Sequence, residues 1–143
     1  MELSGLTIES ITEVFDVPLD KYSQGDGYQL NFTDNSVCEL LIDNGQNCCE
    51  SWGYLASNDV LEEFYGAEIV EATITDMTSD TKFFDRIVVE SEGSEYEVPG
   101  CVFITLRTTK GDLQLVAYNA HNGYYGHDVV VKFNNRTEFT DRI

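Results

Sequence analysis

The chain has 143 residues, of which 42% are hydrophobic and 12% aromatic, a composition that suits one folded domain over 1–143 and excludes a disordered polymer. Twenty-six acids face eight bases for a net charge of −18, which opposes direct binding to a phosphate backbone. No stretch of eighteen apolar residues and no basic–apolar leader is visible, so neither a membrane span nor a secretory signal is expected, and the cytoplasm is the expected compartment.

In chain order, short β-branched and aromatic runs separated by Asn, Asp and Gly predict antiparallel strands. Leu6–Phe15 reads as the first strand, and residues 16–27 as a loop holding Pro18 and a Gly25-Asp26-Gly27 turn. Tyr28–Thr33 and Val37–Ile42 flank a hairpin turn at Asp34-Asn35-Ser36, and Asp43-Asn44-Gly45 leads into a strand over Cys48–Leu55. One short helix is expected near 59–65: Asp59 and Glu62 have capping-box spacing, Val60, Leu61 and Phe64 give an apolar face, and Gly66 stops it.

Ala67–Met77 and Phe83–Val89 read as further strands, with an acidic, turn-rich stretch over 90–100. Cys101–Thr108 and Asp112–Tyr118 frame a hairpin turn at Thr109-Lys110-Gly111; Asn122-Gly123 is another turn, and Val129–Phe133 the last strand. Residues 134–143 read as a polar, frayed tail. The fold class is therefore α+β, mostly β: antiparallel twisted sheet or sheets of about 7–9 strands with one short helix.

No glycine-rich phosphate loop, Walker lysine or nucleophile elbow is present, and the chain does not read as an enzyme. Metal binding is the stronger chemical reading. Cys48 and Cys49 adjoin a turn, and His121 and His127 bracket a loop closed by Gly123 and Gly126, so the four form a candidate Cys₂His₂ set for a structural zinc ion. The spacing, C-C and H-x₅-H, is not that of a regular zinc motif. Glu50 and Asp128 adjoin these ligands as substitutes or outer partners, and Cys38 and Cys101 read as core thiols.

Charge is unevenly spread along the chain: residues 1–100 hold 22 acids and three bases, residues 101–143 four acids and five bases. Acidity of this kind serves solubility or steers the protein to a cationic partner. Glu62, Glu63 and Glu68 form the candidate acidic patch. Trp52, Tyr54, Phe64, Tyr65, Tyr124 and Tyr125 are either sheet packing or interface anchors, with Tyr124-Tyr125 the foremost pair.

Gly5–Ile11, Asn47-Cys48-Cys49-Glu50-Ser51, the segment Asn58–Gly66 and Asn122-Gly123-Tyr124-Tyr125 together resemble a family of small phage and prophage proteins of unknown function, over roughly residues 5–133. Asn47 stands where that pattern has an acid, and His121 and His127 where it has Ser and Glu. In being short, acidic and without catalytic motifs, the chain also resembles the type II-A anti-CRISPR proteins of streptococcal phages. That resemblance implies stoichiometric inhibition of host Cas9, with acids of residues 1–100 occupying its cationic channel as a DNA mimic and hindering DNA loading. Other readings are a phage protein that binds another host factor, and a metal-dependent enzyme or scavenger of small molecules.

Overall fold

The computed structural model describes residues 2–45, 51–90, 99–120 and 126–143. In them β1 (Ile8–Pro18), β2 (Gln24–Phe32), β3 (Val37–Asp43), β8 (Asp128–Phe133) and β9 (Arg136–Arg142) form a five-stranded antiparallel sheet in the order β1-β2-β3-β8-β9. A second antiparallel sheet has the order β4-β7-β6-β5, from β4 (Ser51–Ala56), β5 (Ile69–Thr75), β6 (Gly100–Thr108) and β7 (Gly111–Ala120). A 3-10 turn (Leu61–Phe64) and one helix, α1 (Thr81–Glu90), complete the elements. The expected class, antiparallel sheets with little helix, is what forms.

Strand alternation builds the core. Leu30 and Phe32 of β2, Leu40 and Ile42 of β3 and Val129 and Val131 of β8 are buried against Ile104 and Leu106 of β6 and Leu113 and Leu115 of β7. Each such side chain contributes about 1.5–3 kcal/mol on leaving water. The strands of the second sheet run across those of the first. One end of the second sheet follows β1, where Thr7 bridges to Glu68 and Tyr54 meets Tyr28, while its other end reaches β9 through Asn119 and Ile143. Helix α1 packs Phe83 and Ile87 on the opposite face of the second sheet, against Phe103, Val116 and Tyr118, giving three layers.

Four expectations are corrected. Phe83–Val89 is part of α1 and not a strand. Its apolar residues, 83, 84, 87 and 88, follow a helical period that the β-branched run at 87–89 obscures. Asp80 caps it, its carboxylate accepting from the Phe83 amide at 3.0 Å. The helix expected near 59–65 is present as the single 3-10 turn, and its capping box does not form: Asn58 Oδ1 instead accepts from the Val60 amide at 2.8 Å, with no side-chain cap on the turn itself.

The third correction concerns residues 134–143, where the expected tail is β9. Asn134 and Asn135, both at positive φ (51° and 66°), make the tight reversal that returns the chain along β8. Phe139 packs on the core and Ile143 exchanges backbone hydrogen bonds with His127 at 2.8 and 3.0 Å.

Gly25-Asp26-Gly27 is also not a turn. It lies in β2, and a Cβ on Gly27 would stand 1.9 Å from the Leu40 carbonyl oxygen, so the strands approach there as only glycine permits. The reversal is at 19–23, where Asp20 Oδ1 accepts from the amides of Tyr22 and Ser23 at 2.7 and 2.8 Å.

Because β9 closes the edge of the larger sheet, a chain ending at Asn135 should lose cooperative unfolding or drop sharply in urea midpoint, measured by circular dichroism. An unchanged midpoint would show that 136–143 adds nothing to the fold.

Candidate functional site

Of the residues singled out in the sequence, Cys48, Cys49, Glu50, His121, Tyr124 and Tyr125 lie outside the described residues. His127 is described, and it is 2% exposed, not a surface loop residue. Its ring stacks on Trp52 (centroids 5.3 Å, interplanar 30°), and Nδ1 lies 2.7 Å from the Asp43 carbonyl oxygen. A carbonyl only accepts, so Nδ1 carries a proton and donates there. Nearby, Asn119 Nδ2 donates to the Ile143 carbonyl at 3.0 Å. In register, Ser51 of β4 pairs with Ala120 of β7, and Ile42 of β3 with Val129 of β8. One corner of the sandwich thus gathers the flanks of the 46–50 and 121–125 segments around the Trp52–His127 stack. Among the described residues, no group of three or more His, Cys, Asp or Glu side chains is arranged to hold a metal ion.

Cys38 and Cys101 are buried thiols, as their apolar strand positions imply. Phe64 is buried, and the half-buried Tyr65 donates its hydroxyl to the Ile11 carbonyl at 3.0 Å, so both act in packing.

A second region lies along β1. The 3-10 turn packs on this edge strand: the Gly66 amide donates to the Ile8 carbonyl at 2.7 Å, and Gly66, at φ +84°, turns the chain away at the position expected for the stop. The arrangement places exposed Glu68 and Glu9 at the start of β1 and exposed Asp59 beside exposed Glu13, with Glu62 and Glu63 on the turn between them, whereas Asp16, farther along the strand, accepts from Asn44 Nδ2 at 2.7 Å. Two cations reach this strip: Arg86, 3.2 Å from Asp59, and Lys110, whose Nζ donates to the Tyr65 carbonyl at 2.6 Å. Phe15, farther along β1, is 63% exposed.

Carboxylates also occur elsewhere, at Asp20 and Asp43 near the β1–β2 reversal and on α1 at Asp85. The outer face of the five-stranded sheet differs. There Ser10, Thr12, Gln29, Asn31, Thr137 and Thr140 are uncharged, Asn31 bonding both Gln29 and Ser10, while Glu39 sits opposite Lys132 in register.

Glu13 was not legible as a site residue. A register shift between Ile8 and Ser10 resets the alternation of β1, so Ile11 and Glu13 both turn toward the second sheet, Glu13 opposite Tyr28. Burial, then the Glu13 carboxylate, push the Tyr28 phenol upward; the same burial and the Glu13 carboxylate beside its hydroxyl raise Tyr54. Burial pushes the Cys38 and Cys101 thiols to about 12.

All four groups are raised in the folded chain, so each favours folding while neutral, and that contribution is lost once the unfolded chain ionises. Stability should therefore hold up to about pH 9 and fall progressively toward pH 12, followed by urea midpoints across that range. A midpoint flat to pH 12 would contradict the burial of these groups.

No helix among the described residues is long and apolar enough to cross a membrane. No curated protein and no solved structure matches the chain. The model of one family, described as a domain of unknown function (DUF7448), matches residues 2–131. With nearly the whole of the sandwich inside that match, the chain belongs to the DUF7448 family.

Proposed function

We propose that this protein works by binding, and that its β1 edge docks on a cationic surface of a partner protein. The observation that supports this reading is the strip of exposed carboxylates Glu9, Glu13, Asp59, Glu62, Glu63 and Glu68 along one edge, reached among the described residues by Arg86 and Lys110. Such a strip raises the encounter rate with a basic groove, and Phe15 adds apolar contact once docked. The resemblance to type II-A inhibitors makes host Cas9 the specific partner, since its guide–target channel is lined by Lys and Arg. In that case the protein is phage-encoded, acts stoichiometrically in the host cytoplasm and hinders target DNA loading.

Binding should be measured with purified Cas9, adding the protein before or after target DNA. Inhibition is expected only when it is added first, with association slowed at least ten-fold between 50 and 500 mM salt, because the Debye length shortens about three-fold. Neutralising Glu62, Glu63 and Glu68 together to Gln should weaken binding ten-fold or more. No Cas9 binding, or binding indifferent to salt and to those changes, refutes the reading; capture of another host protein that shows the same salt dependence transfers it to that partner.

The corner at His127 supports a second proposal, a structural zinc ion held by Cys48, Cys49, His121 and His127. Its support is the hydrogen bond from His127 Nδ1 to the Asp43 carbonyl, which fixes the tautomer that offers Nε2 to a metal. Protein purified without added metal should carry about one zinc per chain by elemental analysis, lost in Cys49→Ser. Chelation should also alter the emission of Trp52, the one tryptophan of the chain and the ring stacked on His127. Metal-free protein with unchanged emission and unchanged unfolding temperature in chelator would remove the zinc.

A further inference from the structure

Within the acidic strip a cleft of about 310 Å³ opens between β1 and β4. Its floor is the pair Tyr28 and Tyr54, edge to face with ring centroids 5.1 Å apart and planes at 81°. Its walls carry Glu13, Asn58, Asp59 and Arg86. From these residues we infer that the cleft is the receptor for one arginine side chain of a partner protein, the anchor by which the strip is held in register. The inference takes its partner class from the binding reading above, while the chemistry of the cleft is its own.

The charges inside the cleft decide the sign of the ligand. Arg86 is already committed, Nη2 donating to Asp59 Oδ1 at 3.2 Å and Nη1 to the Ala56 carbonyl at 3.3 Å. Asp59 neutralises it, so the charge left is negative: that of Glu13, whose carboxylate stands beside both phenols, and that of Asp26, which also acts on Tyr54. Glu13 is on the inward-facing side of an edge strand, facing the Tyr54 hydroxyl, and its exposed carboxylate remains open to a cation from outside. Tyrosine faces are negative at the ring centre and favour a cation laid over them.

Shape then selects among cations. An ammonium is a compact, strongly hydrated charge, whereas a guanidinium is a flat fork that pairs bidentately with a carboxylate and stacks on an aromatic ring. A carboxylate beside two crossed aromatic rings matches the second. Buried tyrosine and arginine contacts are those that dominate binding energy at interfaces, which gives a small cleft leverage over a broad charged strip.

The test uses the full chain and three short peptides that are identical but for arginine, lysine or citrulline at the central position, followed by amide NMR. The arginine peptide should produce saturable shifts centred on Glu13, Tyr28, Tyr54 and Asp59, several-fold tighter than lysine, and citrulline should give no saturable shift. Glu13→Gln should weaken the arginine peptide ten-fold or more and Tyr54→Leu comparably, whereas Tyr54→Phe, which keeps the ring, and Asp141→Asn, on β9 at the opposite edge of the sheet, should leave it near the parent. Equal shifts from arginine and citrulline, or shifts that ignore Glu13→Gln in a protein of unchanged fold, overturn the inference. Peptide binding without any Cas9 binding leaves the cleft and removes Cas9 as its partner; Cas9 binding unaffected by Glu13→Gln leaves the strip and removes the cleft.

Discussion

The apolar layer between the two crossing sheets is the contact on which the remaining features depend. Leu30, Leu40, Val131, Ile104 and Leu115 are each essentially sealed from water, and they come from strands distant in sequence. Because the sheets cross, the four strands of the smaller one present their ends in two rows, one along β1 and one toward β9. The first row places the 3-10 turn against β1 and so creates the acidic edge. The second gathers Trp52, Asn119, His127 and Ile143 into the opposite corner. Neither region has a packing logic of its own; both are consequences of how one core is closed.

Much of this architecture is written in local pattern. The alternation of β2, β3, β6, β7 and β8 is read directly, because one face of each strand is buried and the period of two is undisturbed. The failures occur where local pattern and tertiary contact disagree. Ile87, Val88 and Val89 have strand propensity, yet Phe83 and Ile87 one helical turn apart cover Phe103 and Val116, and burial wins over propensity. In β9 a single apolar residue, Phe139, sits among charged and hydroxylated neighbours, the composition of an edge strand and equally of a tail.

The candidate site was legible in the same uneven way. Glu62, Glu63 and Glu68 are visible as an acidic group from their spacing, and the structure brings them to one edge. That Glu9 and Glu13 join them depends on the irregularity of β1 after Ile8, which no alternation reveals, while a second shift between Val14 and Val17 carries Asp16 toward Asn44. His127 was picked out for its proximity to His121, but its burial against Trp52 and its bond to the Asp43 carbonyl arise only from the meeting of the two sheets. Charge itself is anisotropic in a way that composition hides, since on the outer face of the larger sheet Ser, Thr, Gln and Asn share the surface with acids matched by cations, Glu39 opposite Lys132 and Asp128 paired with Arg142.

The irregular course of β1 also governs how copies of this molecule meet one another. A straight outermost strand offers an open ladder of amides and carbonyls onto which a second chain can zip, the first step toward fibrils. Here the ladder is broken twice, Asp16 takes a left-handed backbone turn, and like charges line the rim. Lateral growth by strand addition is blocked on this side by shape and repulsion together, so crowded molecules remain apart while the same rim stays open to a partner of opposite charge.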